Sequence, residues 1–477
     1  MGSWTLDELK AALHCCIAEN VVYPENYAGI FTDTRAVVAG GVFVPLVGER
    51  FDGRNFVAQA LQAGAGAALW ARSDVPSELA AAPLLKVEDT LAAYQALGAF
   101  NLRRLHIPVV AVTGSVGKTT TKDLIRELLS QRYNVHATPV NHNNDVGAAK
   151  TLLELGPQHE IAVIEMGMRG RGQIRRLARL VNARVGVITA IGESHLEILG
   201  SRQAIAEAKA ELFEEMDSAS LAVYPEDTQF TSVFQERISG RSCSFSVHPD
   251  SPAVWRLLEY QPRVTEHGLG SSLRLAYPGG EIEVSFSRLG LHNASNLLAA
   301  LAVCAEFGLA PDELRPAMEN FQPTGMRTEI VQLQRGMTLI NDAYNAAPSS
   351  VRGALEVQGQ LASYRGTHLL ADKRRCVAVL GDMLELGEGT AEFHRQIGAM
   401  CAKSGIEVLI GVGELSGKYM VPAAQESGVL LAYSVKDRRE AWEKLQEVLE
   451  PGDVVLIKAS HSLGLEYLSE KLLAEQA

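Results

Sequence analysis

Short apolar runs, each followed by a stretch with helical periodicity, recur along most of this chain. Ile161–Glu165, Val185–Thr189, Cys376–Leu380, Val408–Ile410 and Val454–Ile457 read as buried strands, with helices expected between them. Strand and helix in alternation predict parallel sheets joined by right-handed crossovers. The N-terminal part has its own smaller pattern. Leu6, Leu9 and Leu13 lie on one helical face, Gly41–Leu46 is strand-like, and a helix over Phe56–Ala63 stops at Gly64 and Gly66 before a strand at Ala67–Trp70. Between 217 and 290 the period shortens to two. Leu273 and Leu275, then Pro278-Gly-Gly280, then Ile282, Val284 and Phe286 predict a hairpin. The polar, basic Asn101–Pro108 and the segment Phe321–Arg327 are candidate linkers. The expected fold is α/β in three domains. Residues 1–104 form a small α/β unit, 105–322 a mostly parallel sheet, and 323–477 a Rossmann-like open sheet.

The 477 residues are too many for one core, and the 47% apolar and 21% charged fractions are those of a soluble protein. The net charge of −12 and the lack of a basic block make nucleic acid and an anionic membrane poor candidate partners. Six scattered cysteines without a C-x-x-C pair point to reduced thiols. The N-terminus lacks a signal-peptide pattern, and no apolar run approaches the ~20 residues that span a bilayer. A cytoplasmic monomer is expected.

The chemistry concentrates at Val109-Val-Ala-Val-Thr-Gly-Ser-Val-Gly-Lys-Thr-Thr120. A strand ending at Thr113, a loop of Gly114, Ser115, Val116 and Gly117, and a helix opening at Lys118 make a phosphate cradle. Backbone N–H groups and the helix dipole face the anion, and the lysine reaches its terminal phosphates. Thr119 stands where a hydroxyl holds Mg²⁺, with Thr120 beside it. The Gly-x-x-Gly-Lys-Thr spacing is two residues shorter than the common loop. It predicts binding of ATP or a close relative.

Other residues are ambiguous by themselves. Glu165 ends a strand and suits a Mg²⁺ ligand or a loop acid. His195, after the next strand, suits a functional group or a structural imidazole. Lys209, in the helical Ala204–Phe213, would ordinarily be a solvated lysine. The polar run Asn141–Asp145, which includes Asn144, is explained equally by turn chemistry and by contact with a polar ligand. Gly381, Asp382 and Gly387 follow a strand's carboxyl end, where open sheets bind ligands.

Together these segments resemble the ATP-dependent Mur ligases of peptidoglycan synthesis. The similarity runs through Thr32-Asp-Thr-Arg35 with Gly41–Gly48, the phosphate loop, Asn143–Gly147, Glu165-Met-Gly167, Gly192–Glu197, Ala208–Leu212, Leu289–Asn296, Asn341-Asp-Ala-Tyr-Asn-Ala346 and Gly381-Asp-Met-Leu-Glu-Leu-Gly387. The last two look most like the branch that joins D-alanyl-D-alanine to UDP-N-acetylmuramoyl-tripeptide. The resemblance implies domains for the UDP-sugar peptide, for ATP and for the incoming dipeptide, in that order. It implies an acyl phosphate on the tripeptide carboxylate, attacked by the dipeptide amine. By the same resemblance Lys118 acts on the phosphates, Thr119 and Glu165 are ligands of one Mg²⁺, and His195 with an N-carbamylated Lys209 serves a second. His292, Asn293 and Asn296 match the adenine side, and Arg327 and Asp342 match residues reaching the ATP phosphates and ribose. Asn345 falls near the acyl phosphate, Thr34 and Arg35 near the uridine nucleotide, and Asn144 and Lys458 among substrate-binding positions.

The chain departs from the family near its end, where Lys-Gly-Ser-Arg is replaced by Lys458-Ala-Ser-His461. An imidazole is neither permanently charged nor bidentate, so recognition of the dipeptide carboxylate is expected to change at His461. Tyr224–Asp227 departs too, in a loop. Two rivals stay open: a folylpolyglutamate synthase-like or cyanophycin-type amide ligase, opposed by the motifs at 341–346 and 381–387, and a non-catalytic nucleotide-binding homologue, opposed by Lys118, Glu165, His195 and Lys209.

Overall fold

A computed structural model describes all residues except 1, 16, 19, 49–50, 72–73, 140–141, 266–267, 326–327, 364–373 and 476–477. The chain divides into two compact units. One comprises Met1–Ala111, Arg132–Met168 and Gln173–Arg184, the other Val112–Gln131, Arg169–Gly172 and Val185–Ala477.

In the first unit, strands β1 (Ile30–Phe31), β2 (Val42–Phe43), β3 (Ala67–Trp70) and β4 (Leu84–Lys86) form a parallel sheet in that order. Its strands are apolar on both faces because both are covered. Val42, Leu69 and Leu85 pack with Trp4, Leu9 and Tyr94, while Phe43, Ala68 and Trp70 pack with Val57 and Ala60. The strand expected over Gly41–Leu46 is only two residues long, since Leu46 turns away to accept the N–H of Gly53. The helix Thr90–Leu105 runs through most of the segment read as a linker. Asn101 is buried there, its amide donating to the carbonyls of Leu152 and Leu155 at 2.7 and 3.1 Å. Polarity at this position reflects helix packing rather than a break. Strand β5 (Val109–Thr113) begins in this unit, which also holds β6 (Val135–Ala137) and β7 (Ile161–Glu165), ordered β6-β7-β5.

The last two residues of β5 belong to the second unit. Beyond them run β8 (Val185–Ile188), β9 (Leu221–Pro225) and β10 (Arg241–Ser246), then β11 (Trp255–Thr265), β12 (Gly268–Tyr277) and β13 (Gly280–Phe286). From β8 to β11 the pairing is parallel; β11, β12 and β13 are antiparallel. The predicted hairpin is present, with Tyr277 opposite Gly280.

A second sheet follows: β14 (Glu329–Gln332), β15 (Thr338–Asn341), β16 (Cys376–Gly381), β17 (Val408–Val412), β18 (Leu431–Val435) and β19 (Val454–Lys458), in the order β14-β15-β19-β16-β17-β18. Only β14 is antiparallel. Side chains alternate between its faces. Cys376, Ala378 and Leu380 meet the helices Pro348–Ser363 and Thr390–Lys403, whereas Val377 and Val379 meet Arg438–Val448 and Glu466–Ala474. Burial on both faces explains the unbroken apolar runs. Within this unit the carboxyl ends of β5, β8, β15, β16 and β19 carry the polar residues of interest.

Candidate functional site

The loop after β5 has the shape of an anion receptor. Gly117 stands at φ +84°, and a Cβ there would lie 2.5 Å from Oδ1 of Asn296. Only glycine fits such a backbone so closely overlaid. Two bonds from the following strand hold the loop. The Ser115 N–H donates to Ala190 O at 2.8 Å, and the Thr189 hydroxyl donates to Val116 O at 2.6 Å. The helix Lys118–Leu129 begins immediately after Gly117. Lys118 Nζ donates to Gly114 O at 2.9 Å, so its ammonium lies over the loop itself. Thr119 is buried at the first turn. Lower on the helix the Thr121 hydroxyl donates to Asn296 Oδ1 at 3.2 Å, and Asp123 accepts from the Thr324 N–H at 3.0 Å and from its hydroxyl.

Lys209 and His195 belong to the same unit. Lys209 is on Arg202–Glu214 and only 1% exposed, not solvated. Burial, and then the charge of Lys118, pushes its amine well below the ordinary lysine range. His195 sits at φ +64°, with Nδ1 2.7 Å from Oε2 of Glu385. Burial holds it below the usual histidine range; Glu385 opposes this, and Lys209 and Lys118 add to it.

Around the ends of β15 and β19, Lys458 Nζ donates to Asp342 Oδ2 and to Asn345 O, each at 2.7 Å. Asp342 Oδ1 accepts the Thr328 N–H at 3.1 Å. His292 has no hydrogen-bond partner at its buried Nδ1, and burial brings it down to about 4. Asn293 Nδ2 donates to Leu289 O at 2.7 Å, reaching back to the turn that precedes its helix. The His461 ring lies 5.7 Å from that of Tyr344. Arg327 lies outside the described residues. Asp382 accepts from the N–H groups of Ser416 and Leu415 at 2.7 and 3.2 Å, opening the next helical segment.

The first unit holds the remaining positions. Glu165, 5% exposed at the end of β7, accepts from Asn143 Nδ2 at 2.9 Å, and its N–H donates to the Thr138 hydroxyl at 3.0 Å. Asn144 caps the helix Asp145–Leu153 by accepting the Gly147 N–H at 2.8 Å. Turn and cap chemistry therefore occupy this cluster, with Asn143 orienting the acid. Arg35 is exposed and paired with Asp33 at 2.7 Å, beside Thr34.

The sequence alone marks no role for Glu385, Thr189 or the Asp123–Thr324 pair, and marks Asn143 only as part of the Asn141–Asp145 run. Glu385 and Asn143 fall inside motifs that were singled out, but their partners lie far along the chain. Among the described residues no group of three or more His, Cys, Asp or Glu side chains gathers as a metal site, so any cation draws on other donors. A threonine hydroxyl and a carboxylate are hard oxygen ligands that suit Mg²⁺. A neutral buried amine can take up carbon dioxide, which an ammonium cannot.

A phosphate loop on a parallel sheet, beside a second open sheet, defines a nucleotide-dependent enzyme architecture, and comparison with known proteins gives its family. Residues 26–100 match the model "Mur ligase family, catalytic domain", 112–304 "Mur ligase middle domain", and 326–461 "Mur ligase, glutamate ligase domain". The chain belongs to the Mur ligase family. A UDP-N-acetylmuramoyl-tripeptide--D-alanyl-D-alanine ligase of Bacillus subtilis (strain 168) is 37% identical over 453 residues, 93% of each chain. The protein of that name from Escherichia coli (strain K12) is 32% identical, with 92% of each covered. Among solved structures, MurF from Acinetobacter baumannii superposes with a TM-score of 0.87 at 29% identity over 99% of both chains. The MurF ligase from Thermotoga maritima in complex with ADP gives 0.81 at 25%, covering 94% of this chain and 98% of that one. No single helix among the described residues is long and apolar enough to cross a membrane.

Proposed function

We propose that this chain joins D-alanyl-D-alanine to UDP-N-acetylmuramoyl-tripeptide with conversion of ATP to ADP and phosphate, as a cytoplasmic monomer making peptidoglycan precursor. The observation that supports this most is end-to-end likeness to proteins of that one activity, 37% identical over 93% of both chains, in a chain that keeps the glycine-enforced phosphate loop. Residues 1–104 take the UDP-sugar peptide through Thr34 and Arg35, 105–322 take ATP, and 323–477 take the dipeptide.

The tripeptide carboxylate oxygen attacks the γ-phosphorus of ATP, and ADP leaves. The dipeptide amine then attacks the acyl-phosphate carbonyl; phosphate departs as the amide forms and the amine gives up a proton. Lys118 exchanges its loop carbonyl for phosphate oxygen, and the loop N–H groups neutralise charge that grows as the γ-phosphoryl transfers. Asn293, Asn296 and His292 line the adenine side, with Arg327 and Asp342 toward phosphates and ribose. Asn345 stands near the acyl-phosphate end, Asn144 is among the substrate positions, and Lys458 and His461 stand at the dipeptide. By the family resemblance Thr119 and Glu165 would supply oxygen ligands to Mg²⁺, and His195 and a carbamate on Lys209 would serve a second ion. Such cations supply charge neutralisation for the phosphoryl group in flight.

The test is phosphate release from ATP with the tripeptide, with and without D-alanyl-D-alanine. Release dependent on the dipeptide, with a pentapeptide product by mass, is expected. Release with glutamate in place of the dipeptide would favour a polyglutamate-type ligase.

A further inference from the structure

His195 is held by a residue that no sequence motif marked for a role. Its Nδ1 is 2.7 Å from Oε2 of Glu385, in the loop after β16. Both residues adopt left-handed backbone, φ +64° and +61°. Outside glycine that conformation is uncommon and persists where surroundings impose it. Here the surroundings are the two loops themselves. The Glu197 N–H donates to the carbonyl of Glu385 at 3.1 Å, and a Cβ on Gly387 would lie 3.0 Å from Cα of Glu197. The loops therefore meet through backbone as well as side chain, and the imidazole and carboxylate are delivered to each other rather than meeting by chance on a surface.

A neutral imidazole has one N–H and one lone pair. At 2.7 Å from a carboxylate oxygen, Nδ1 favours carrying the hydrogen, because its lone pair would be repelled there, although its N–H is not aligned on Oε2 and the nitrogen makes no hydrogen bond in this structure. Nε2 is then the lone-pair nitrogen, and among the described residues none hydrogen-bonds to it. Metal-binding histidines commonly go one step further, the second ring nitrogen donating to a carboxylate that fixes tautomer and ring angle.

We infer that Glu385 is a positioning residue: as a divalent cation binds, the ring turns on this contact so that Glu385 accepts the Nδ1–H of His195 and Nε2 is presented to the cation. This rests on the reading of His195 as a cation ligand. It adds that the C-terminal sheet contributes to the cation site through a residue that need not touch the cation. Glutamine keeps an acceptor at the same reach, whereas alanine removes it.

The tautomer can be read without any cation, by ¹⁵N–¹H correlation on metal-free protein labelled at histidine, with His195→Gln assigning the signal. Protonation at Nδ1 is expected in the wild type and in Glu385→Gln, and a mixture of tautomers in Glu385→Ala. Mn²⁺ titration of the ADP-bound protein by electron paramagnetic resonance should show Glu385→Ala weakening one site by about 10- to 100-fold, with Glu385→Gln close to wild type. The double variant with His195→Gln should lose no more than His195→Gln alone. An Nε2–H tautomer in the wild type overturns the inference, as do unchanged Mn²⁺ affinity in Glu385→Ala or losses that multiply. If Glu385→Ala fails to fold, the wild-type tautomer and Glu385→Gln still decide. Absence of dipeptide-dependent phosphate release in the wild type would count against the ligase reading, not against this contact.

Discussion

Lys458 at the end of β19 shares its ammonium between Asp342 Oδ2 and Asn345 O at 2.7 Å each, with the charged pair nearly out of water, 3% and 13% exposed. The lysine thus organises the turn after β15 in addition to any ligand it meets. Removing one partner of a buried pair strands the other's charge, at a cost of about 3–5 kcal/mol. Lys458→Met should lower the unfolding free energy by that order in urea titrations. Pairing it with Asp342→Leu should recover most of the loss. Full stability in Lys458→Met would mean water already reaches Asp342.

Gly117 occupies a conformation, φ +84°, that a side chain adopts at a cost of ~1–2 kcal/mol, and its Cβ would press on Asn296. Gly117→Ala should weaken ADP binding by about tenfold or more, read by calorimetry. Affinity equal to wild type would show the loop to be more plastic than its hydrogen bonds suggest.

Burial, and then the charge of Lys118, disfavour the ammonium form of Lys209, and the amine form is the one that accepts carbon dioxide. Lys209→Ala should reduce ligation by ~100-fold or more, the scale of losing a charge-stabilising group, and added bicarbonate should not restore it. Wild-type turnover in this variant would sink the carbamate assignment.

His292 gives an acid sensitivity whose sign follows from its pKa. Burial lowers it from 6.5 to about 4 in the folded chain. Above pH 6.5 the group is neutral folded or unfolded and contributes nothing. As pH falls from 6.5 to 4, the unfolded chain binds the proton first, so stability drops, by roughly 3 kcal/mol in all. Urea unfolding at pH 7 and pH 4.5 should show a smaller difference in His292→Gln than in wild type. Equal differences would place the acid response on other groups.

His461 replaces an arginine of the family pattern and lies against Tyr344. His461→Arg should lower KM for D-alanyl-D-alanine while leaving ATP affinity unchanged, since a guanidinium offers a fixed, bidentate charge to a carboxylate. An unmoved KM would remove His461 from the dipeptide pocket.

Much of this was legible in one dimension. β5 spans Val109–Thr113, the strand end read from the apolar run, and its helix opens at Lys118. Gly117, Thr119 and the hairpin at Tyr277–Gly280 were likewise set by local sterics and by periods of two and 3.6. Asn101 misled because a polar residue in a helix looks alike whether it faces water or, as here, two buried carbonyls.

What the sequence alone determined was therefore the local geometry and the family: which segments are strands, where glycine is obligatory, and which residue types lie near the phosphate loop. What only the tertiary structure decided was pairing at a distance. Asp342 and Lys458 are 116 residues apart and Asp123 and Thr324 are 201 apart. His195 meets Glu385 only because two strand-end loops converge. Such partnerships depend on strand order and on the packing of one sheet's loops against another's. Burial then disfavours the charged forms of Lys209 and His195, and no local pattern encodes that change.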